Sequence, residues 1–262
     1  MILKSIPFLL LFLACSGIIA QSPETLNSTD KNGNKQGHWI KKYPNGHVQY
    51  EGYFTENHPV GLFKRYYETD TLQSAMDFNQ EGTEADAILF HPNGLIASTG
   101  KFINQKKEGK WRFFSSTIRG LLVVEEDYKN NLKNGLSIKY YPGKVPAERI
   151  IYSNDIKNGE WTQYFADGTL CLKATYSFGK LDGPFSTFYI TGKSEYTGQY
   201  KNDLRTGVWK IYNPDGTLKY DMIYIDGVIS NPETYRKETE YLDLLEKNKG
   251  KIADPEKTGT IW

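Results

Sequence analysis

The stretch YTGQYKNDLRTGVWKIYNPDGT, residues 196–217, decides the fold because the chain repeats it. An earlier copy, YEGYFTENHPVGLFKRYY, occupies residues 50–67. With the glycine ahead of the Trp or Phe taken as position 0, the copies fall at Gly37, Gly61, Ala85, Gly109, Gly135, Gly159, Gly183 and Gly207. Each step is 24 residues, except that from Gly109 to Gly135, which is 26. A fixed period of this length marks an array in which each unit completes its core only against its neighbours.

Three aromatic columns run with the period. Position 2 holds Trp39, Phe63, Trp111, Trp161, Phe185 and Trp209, broken by Ala87 and Ser137. Position 5 holds Tyr66, Phe90, Phe114, Tyr140, Tyr164, Phe188 and Tyr212, after Lys42 in the first copy. Position 17 holds Phe54, Phe78, Phe102, Tyr152, Tyr176, Tyr200 and Tyr224, and Tyr128 once the two extra residues of the fourth copy are allowed for. These columns take 21 of the 37 Phe, Trp and Tyr residues, so the aromatic richness is architectural before it is anything else.

Each copy reads as a β-hairpin whose first strand runs from the anchor for about six residues. Pro44-Asn45-Gly46, Pro92-Asn93-Gly94, Asp167-Gly168 and Pro214-Asp215-Gly216 supply turn chemistry. Proline presets φ, Asn or Asp bonds its own backbone, and Gly accepts φ > 0. The second strand alternates, with polar Glu51, Lys101, Lys173 and Gln199 between apolar or small neighbours, as a half-buried strand does. The expected fold is all-β: about eight stacked hairpins in one elongated antiparallel sheet.

The expected register faces position 2 with position 15, setting Trp39 over Gly52, Trp161 over Ala174 and Phe185 over Gly198. Side-chain alternation then sends position 5 to the other face. Position 17 is expected in the core, and Tyr140, Tyr164, Phe188 and Tyr212 form a half-exposed ridge, the candidate binding residues. The third copy is degenerate and the fourth carries the insertion, so a kink or weak seam is expected near residues 80–125.

Residues 1–20 read as an export signal, with Lys4 ahead of an apolar run over 6–14 that is too short for a comfortable membrane span. Cleavage after Ala20 is the expected route, and acylation of Cys15 is the alternative. The first would leave Cys171 as the only cysteine and rule out an internal disulfide framework. Residues 21–34 read as a flexible polar leader and 35–230 as the array. Asn231-Pro232 opens a helix over 231–249, expected to cap the last hairpin, and 250–262 reads as a tail.

A formal charge of +1 without long runs of one sign gives no general attraction for nucleic acid. There is no H-E-x-x-H, no G-x-S-x-G and no phosphate-binding glycine loop. His38, His47, His58 and His91 fall at different repeat positions and read as surface residues, so neither metal nor cofactor is expected.

YTGQYKNDLRTGVW and YEGYF resemble the MORN repeat, whose core is Tyr-x-Gly-x-aromatic followed by a spaced Gly. The 24-residue period and the G-x-W-x-x-Y, P-D-G pattern are similar to the bacterial MORN-variant group, often labelled YwqK-family antitoxin. The resemblance covers about residues 33–228 and implies a hairpin scaffold; the antitoxin label implies a cytoplasmic neutralising protein, at odds with the export signal. The expected function is an exported, non-enzymatic scaffold binding a protein or envelope component. The alternatives are an antitoxin or immunity-type protein, and a carbohydrate or lipid-headgroup binder using exposed aromatic rows.

Overall fold

The structure, a computed structural model, describes residues 25–230. Its strands are β1 (Ser28–Thr29), β2 (Lys35–Lys42), β3 (Val48–Thr55), β4 (His58–Tyr66), β5 (Leu72–Phe78), β6 (Glu84–Phe90), β7 (Ile96–Ile103), β8 (Lys106–Phe114) and β9 (Leu122–Lys129). Then follow β10 (Leu132–Tyr140), β11 (Pro146–Ser153), β12 (Ile156–Tyr164), β13 (Leu170–Ser177), β14 (Lys180–Phe188), β15 (Ser194–Lys201), β16 (Leu204–Tyr212), β17 (Leu218–Ile225) and β18 (Val228–Ile229). Every strand pairs antiparallel with the next in the chain, giving one all-β meander. The capping helix expected over 231–249 and the signal over 1–20 lie outside the described residues.

Two kinds of connection alternate. One edge carries the Pro-Asn-Gly loops, closed by bonds such as Gly46 N to Tyr43 O and Tyr43 N to His47 O. The other edge carries two-residue turns with both φ positive, including Asn154-Asp155 and Asn202-Asp203, the primed geometry that matches strand twist.

The strands begin earlier than the sequence suggests. Most open three residues before the anchor, and the anchor itself sits at a bulge with φ of +60 to +135°. This is why glycine recurs there: a Cβ resists that conformation. The third copy has Ala85 instead, and the β5–β6 ladder runs from Ser74 to Phe78 with no register shift. Here β6 lacks the bulge and starts one residue before the anchor.

The register is as expected: Trp39 faces Gly52, Trp161 faces Ala174 and Phe185 faces Gly198. The steric partner is not. A Cβ added to Gly52, Gly100 or Gly198 would come within 2.2–2.3 Å of the rings of Phe63, Trp111 and Trp209 respectively. Each ring therefore lies over position 15 of the preceding copy, across the two-residue turn, rather than over its own. Where position 2 is small, the preceding position 15 is large: Met76 faces Ala87, and Glu126 stands in the column ahead of Ser137.

The buried rings gather in two clusters. One spans Ile150 to Tyr224; the other comprises Ala87, Trp111 and Tyr128. Position 17, expected in the core throughout, is buried at Tyr128, Tyr176, Tyr200 and Tyr224 and only partly buried at Phe54, Phe78, Phe102 and Tyr152. The leader expected over 21–34 is ordered in its described part. Ser28 and Thr29 pair with Gln36 and Lys35, Trp39 Nε1 donates to Ser28 O at 3.0 Å, and Ile40 N donates to Asn27 Oδ1 at 2.8 Å. A two-residue strand thus covers the sheet at each described end, which blunts an edge open to foreign strands.

Candidate functional site

Position 5 lies on the face opposite position 2. Glu51 faces Lys64, the neighbour of Phe63 along β4, and Tyr66 Oη donates to Glu51 Oε1 at 3.0 Å. Tyr140 Oη likewise donates to Glu125 Oε2 at 2.8 Å, and Glu125 faces Arg112 beside Trp111. We call this the open face and the position-2 side the ring face.

The four ridge residues are all half-buried. Tyr140 faces Pro146, Tyr164 faces Leu170, Phe188 faces Ser194 and Tyr212 faces Leu218. They recur every second strand, about 9.6 Å apart, with those cross-strand partners in the strands between. Burial and then the Glu125 carboxylate push the Tyr140 phenol up to about 12, so it stays a protonated donor. The apolar character is greatest at the C-terminal end, where Leu218 is 51% and Ile223 52% exposed. Val208 is exposed on the same face.

Two further columns escaped the aromatic count. Two residues before the anchor stand Lys35, Lys107, Lys133, Lys157 and Arg205, each with its cation over the ring face. Their distances to the position-17 rings of their own copies are 4.8, 4.7, 5.6, 5.0 and 5.2 Å. Pro59, Thr83 and Leu181 interrupt this column. At position 6, Tyr43, Tyr67, Tyr141 and Tyr189 donate their hydroxyls to the position-5 carbonyls of the next copy, at 2.8–3.1 Å. These staples fix the loop edge that carries the ridge.

The ring face holds two buried carboxylates near its middle. Glu126 accepts from Tyr128 Oη and Lys133 Nζ, each at 2.6 Å, and from Ser137 Oγ at 3.2 Å. Glu148 pairs with Lys139 at 3.0 Å and accepts from Trp161 Nε1 and Gln163 Nε2. Burial pushes the Glu148 carboxyl up. Lys139 and the two hydrogen bonds outweigh burial and hold it below the usual carboxylate value. Burial, partly offset by the Glu148 charge, lowers the Lys157 ammonium. These groups are saturated by partners, an arrangement that locks a strand junction rather than moving protons.

Burial, with Glu195 nearby, raises the half-buried Cys171 thiol, which disfavours the nucleophilic thiolate. His38 stacks on Tyr53 at 4.9 Å, while His47 and His91 bond the carbonyls of Glu68 and Phe114. Among the described residues no group of three or more His, Cys, Asp or Glu could hold a metal ion.

Three segments, each starting on a ring-face cation, carry the whole pattern of anchor, ring and turn. Residues 35–56, 157–177 and 205–226 match the MORN repeat variant. They are the first, sixth and eighth hairpins, so units similar to the MORN repeat variant stand at both described ends of the β-hairpin array. No curated protein matches the chain.

Proposed function

We propose that the protein is a non-enzymatic, exported binding scaffold whose open face docks a protein partner of the cell envelope along the ridge Tyr140, Tyr164, Phe188 and Tyr212. The observation that carries this reading is the division of labour between faces. Towards the C-terminal end Trp161, Phe185, Trp209, Tyr176, Tyr200 and Tyr224 are buried in packing, while position 5 leaves half-buried rings, with Leu218, Ile223 and Val208 exposed on the same face. An apolar ribbon of that kind on an otherwise charged surface is what interfaces are built from. Export rests on Lys4 and the apolar run before Ala14. If the partner proves to be a toxin, the same face makes this a neutralising protein of the antitoxin type.

The test separates packing from binding. Tyr176 is buried between strands, so Tyr176→Ala is expected to cost about 3 kcal/mol. Tyr164→Ala and Tyr212→Ala are expected to cost about 1 kcal/mol each, yet to abolish capture of the partner from native envelope extract, which Tyr176→Ala leaves intact below its melting temperature. Equal losses of stability from all three variants, or capture unaffected by the ridge variants, would remove the open face from consideration.

A further inference from the structure

The ring face has one place where its own pattern is incomplete. In five copies a Lys or Arg two residues before the anchor lays its cation over the position-17 ring. In the seventh copy Leu181, fully buried, fills that slot with an apolar side chain. The second and third copies have Pro59 and Thr83, too short to reach the rings of Phe78 and Phe102. Loss of the bulge at Ala85 also shortens β6, leaving Thr83 in the connecting loop. Two adjacent cation slots are thereby left open, and a cavity of about 590 Å³ occupies them. Phe54, Phe63, Phe78, Phe102 and Met76 line it, together with Arg65, His58, Asn57 and Gln105.

The vacancy specifies its occupant. Aromatic walls present the negative faces and edges of π-systems, which attract organic cations. No carboxylate lines the cavity. A primary ammonium entering it would find only uncharged acceptors, such as the side-chain oxygens of Asn57, Thr83 and Gln105, for its three N–H donors. A quaternary ammonium has no N–H to satisfy and loses little by the same transfer. The Arg65 guanidinium carbon lies 5.7 Å from the Phe63 ring centroid, and the side chain is exposed, so it can receive an anionic group at the rim. Its charge disfavours a bare cation and favours one that carries its own anion.

We propose that this cavity binds a zwitterionic quaternary ammonium, the phosphocholine or betaine class, with its trimethylammonium among Phe63, Phe78 and Phe102 and its anion on Arg65. The site lies on the ring face, so it stands or falls independently of the open-face reading.

Calorimetric titration of the whole protein with phosphocholine and glycine betaine tests it, using 3,3-dimethylbutan-1-ol as the uncharged isostere of choline. Saturable binding of the zwitterions, at least tenfold tighter than the isostere, is expected. Thr83→Lys supplies the missing cation from the chain itself and should weaken binding at least tenfold with an unchanged melting temperature. Phe102→Leu, which keeps the wall apolar, should do the same if Thr83→Lys fails to fold. Arg65→Gln should weaken phosphocholine but not tetramethylammonium. Co-sedimentation with phosphatidylcholine vesicles distinguishes a lipid headgroup from a free solute, and either source fits. Equal affinity for the uncharged isostere, full affinity in Thr83→Lys, or no saturation by folded protein would overturn the proposal.

Discussion

The position-2 ring is missing from two hairpins, and the chain restores the volume in opposite ways. At the third copy Ala87 faces Met76, a flexible apolar filler, and an aromatic-walled cavity remains beside it. At the fifth copy Ser137 lies beside Glu126, a carboxylate 2% exposed and closed in by Lys133, Tyr128 and Ser137. The first solution leaves space open to solvent; the second fills it with a saturated polar cluster. One rule covers both and the ring-bearing junctions with Gly or Ala: position 15 of one copy and position 2 of the next share a nearly constant volume. Ile150 under Trp161 is the one crowded pair.

The polar junction should be the more fragile of the two to single changes. Lys133→Met strands the buried Glu126 carboxylate and is expected to cost about 3–5 kcal/mol, read by denaturant unfolding. Replacing Glu126 by Met in the same chain should recover most of the loss, because the pair is then exchanged for apolar contact. A Lys133→Met protein as stable as wild type would mean that the cluster does not hold the junction.

A smaller effect separates the junctions by pH. The Glu148 carboxyl, next to the polar junction, lies below its ordinary value in the folded chain. Its contribution is therefore complete above the ordinary carboxylate value of about 4.3 and is lost as pH falls through the depressed folded value. Acid unfolding followed by tryptophan fluorescence should begin at higher pH in the wild type than in Glu148→Gln corrected for its neutral-pH stability. Coincident acid midpoints after that correction would contradict the assignment.

Much of this is legible in the sequence. The 24-residue period, the eight hairpins and the facing of Trp39 with Gly52 all follow from columns visible in the sequence. The direction in which each ring leans was not, because pairing says which residues are opposite but not which neighbour a side chain covers. Ala87 reads as degeneracy in the sequence alone, and Phe63 over Gly52 and Trp111 over Gly100 show the rule that it satisfies together with Met76. Lys35, Lys107 and Lys157 were periodic in plain sight. A lysine in a strand reads as solvated until its stem is seen to run along rings. The Tyr43 and Tyr189 staples need the next copy's carbonyl in place, which no single hairpin contains. The contacts of the leader's described part are not legible in the sequence, because Asn27 and Ser28 look like linker residues, though their polar groups cover the edge of β2.

The rule of shared volume is tested most directly by a double-mutant cycle at the apolar junction, Met76→Gly and Ala87→Trp. Thermal and denaturant unfolding of the four proteins gives the coupling between the two sites. Each single change should destabilise, the first by opening a void and the second by forcing an indole against Met76. Together they should recreate the Gly100–Trp111 arrangement and regain most of the lost stability, with a coupling of about 2 kcal/mol or more. Strictly additive losses in the double variant would contradict the account.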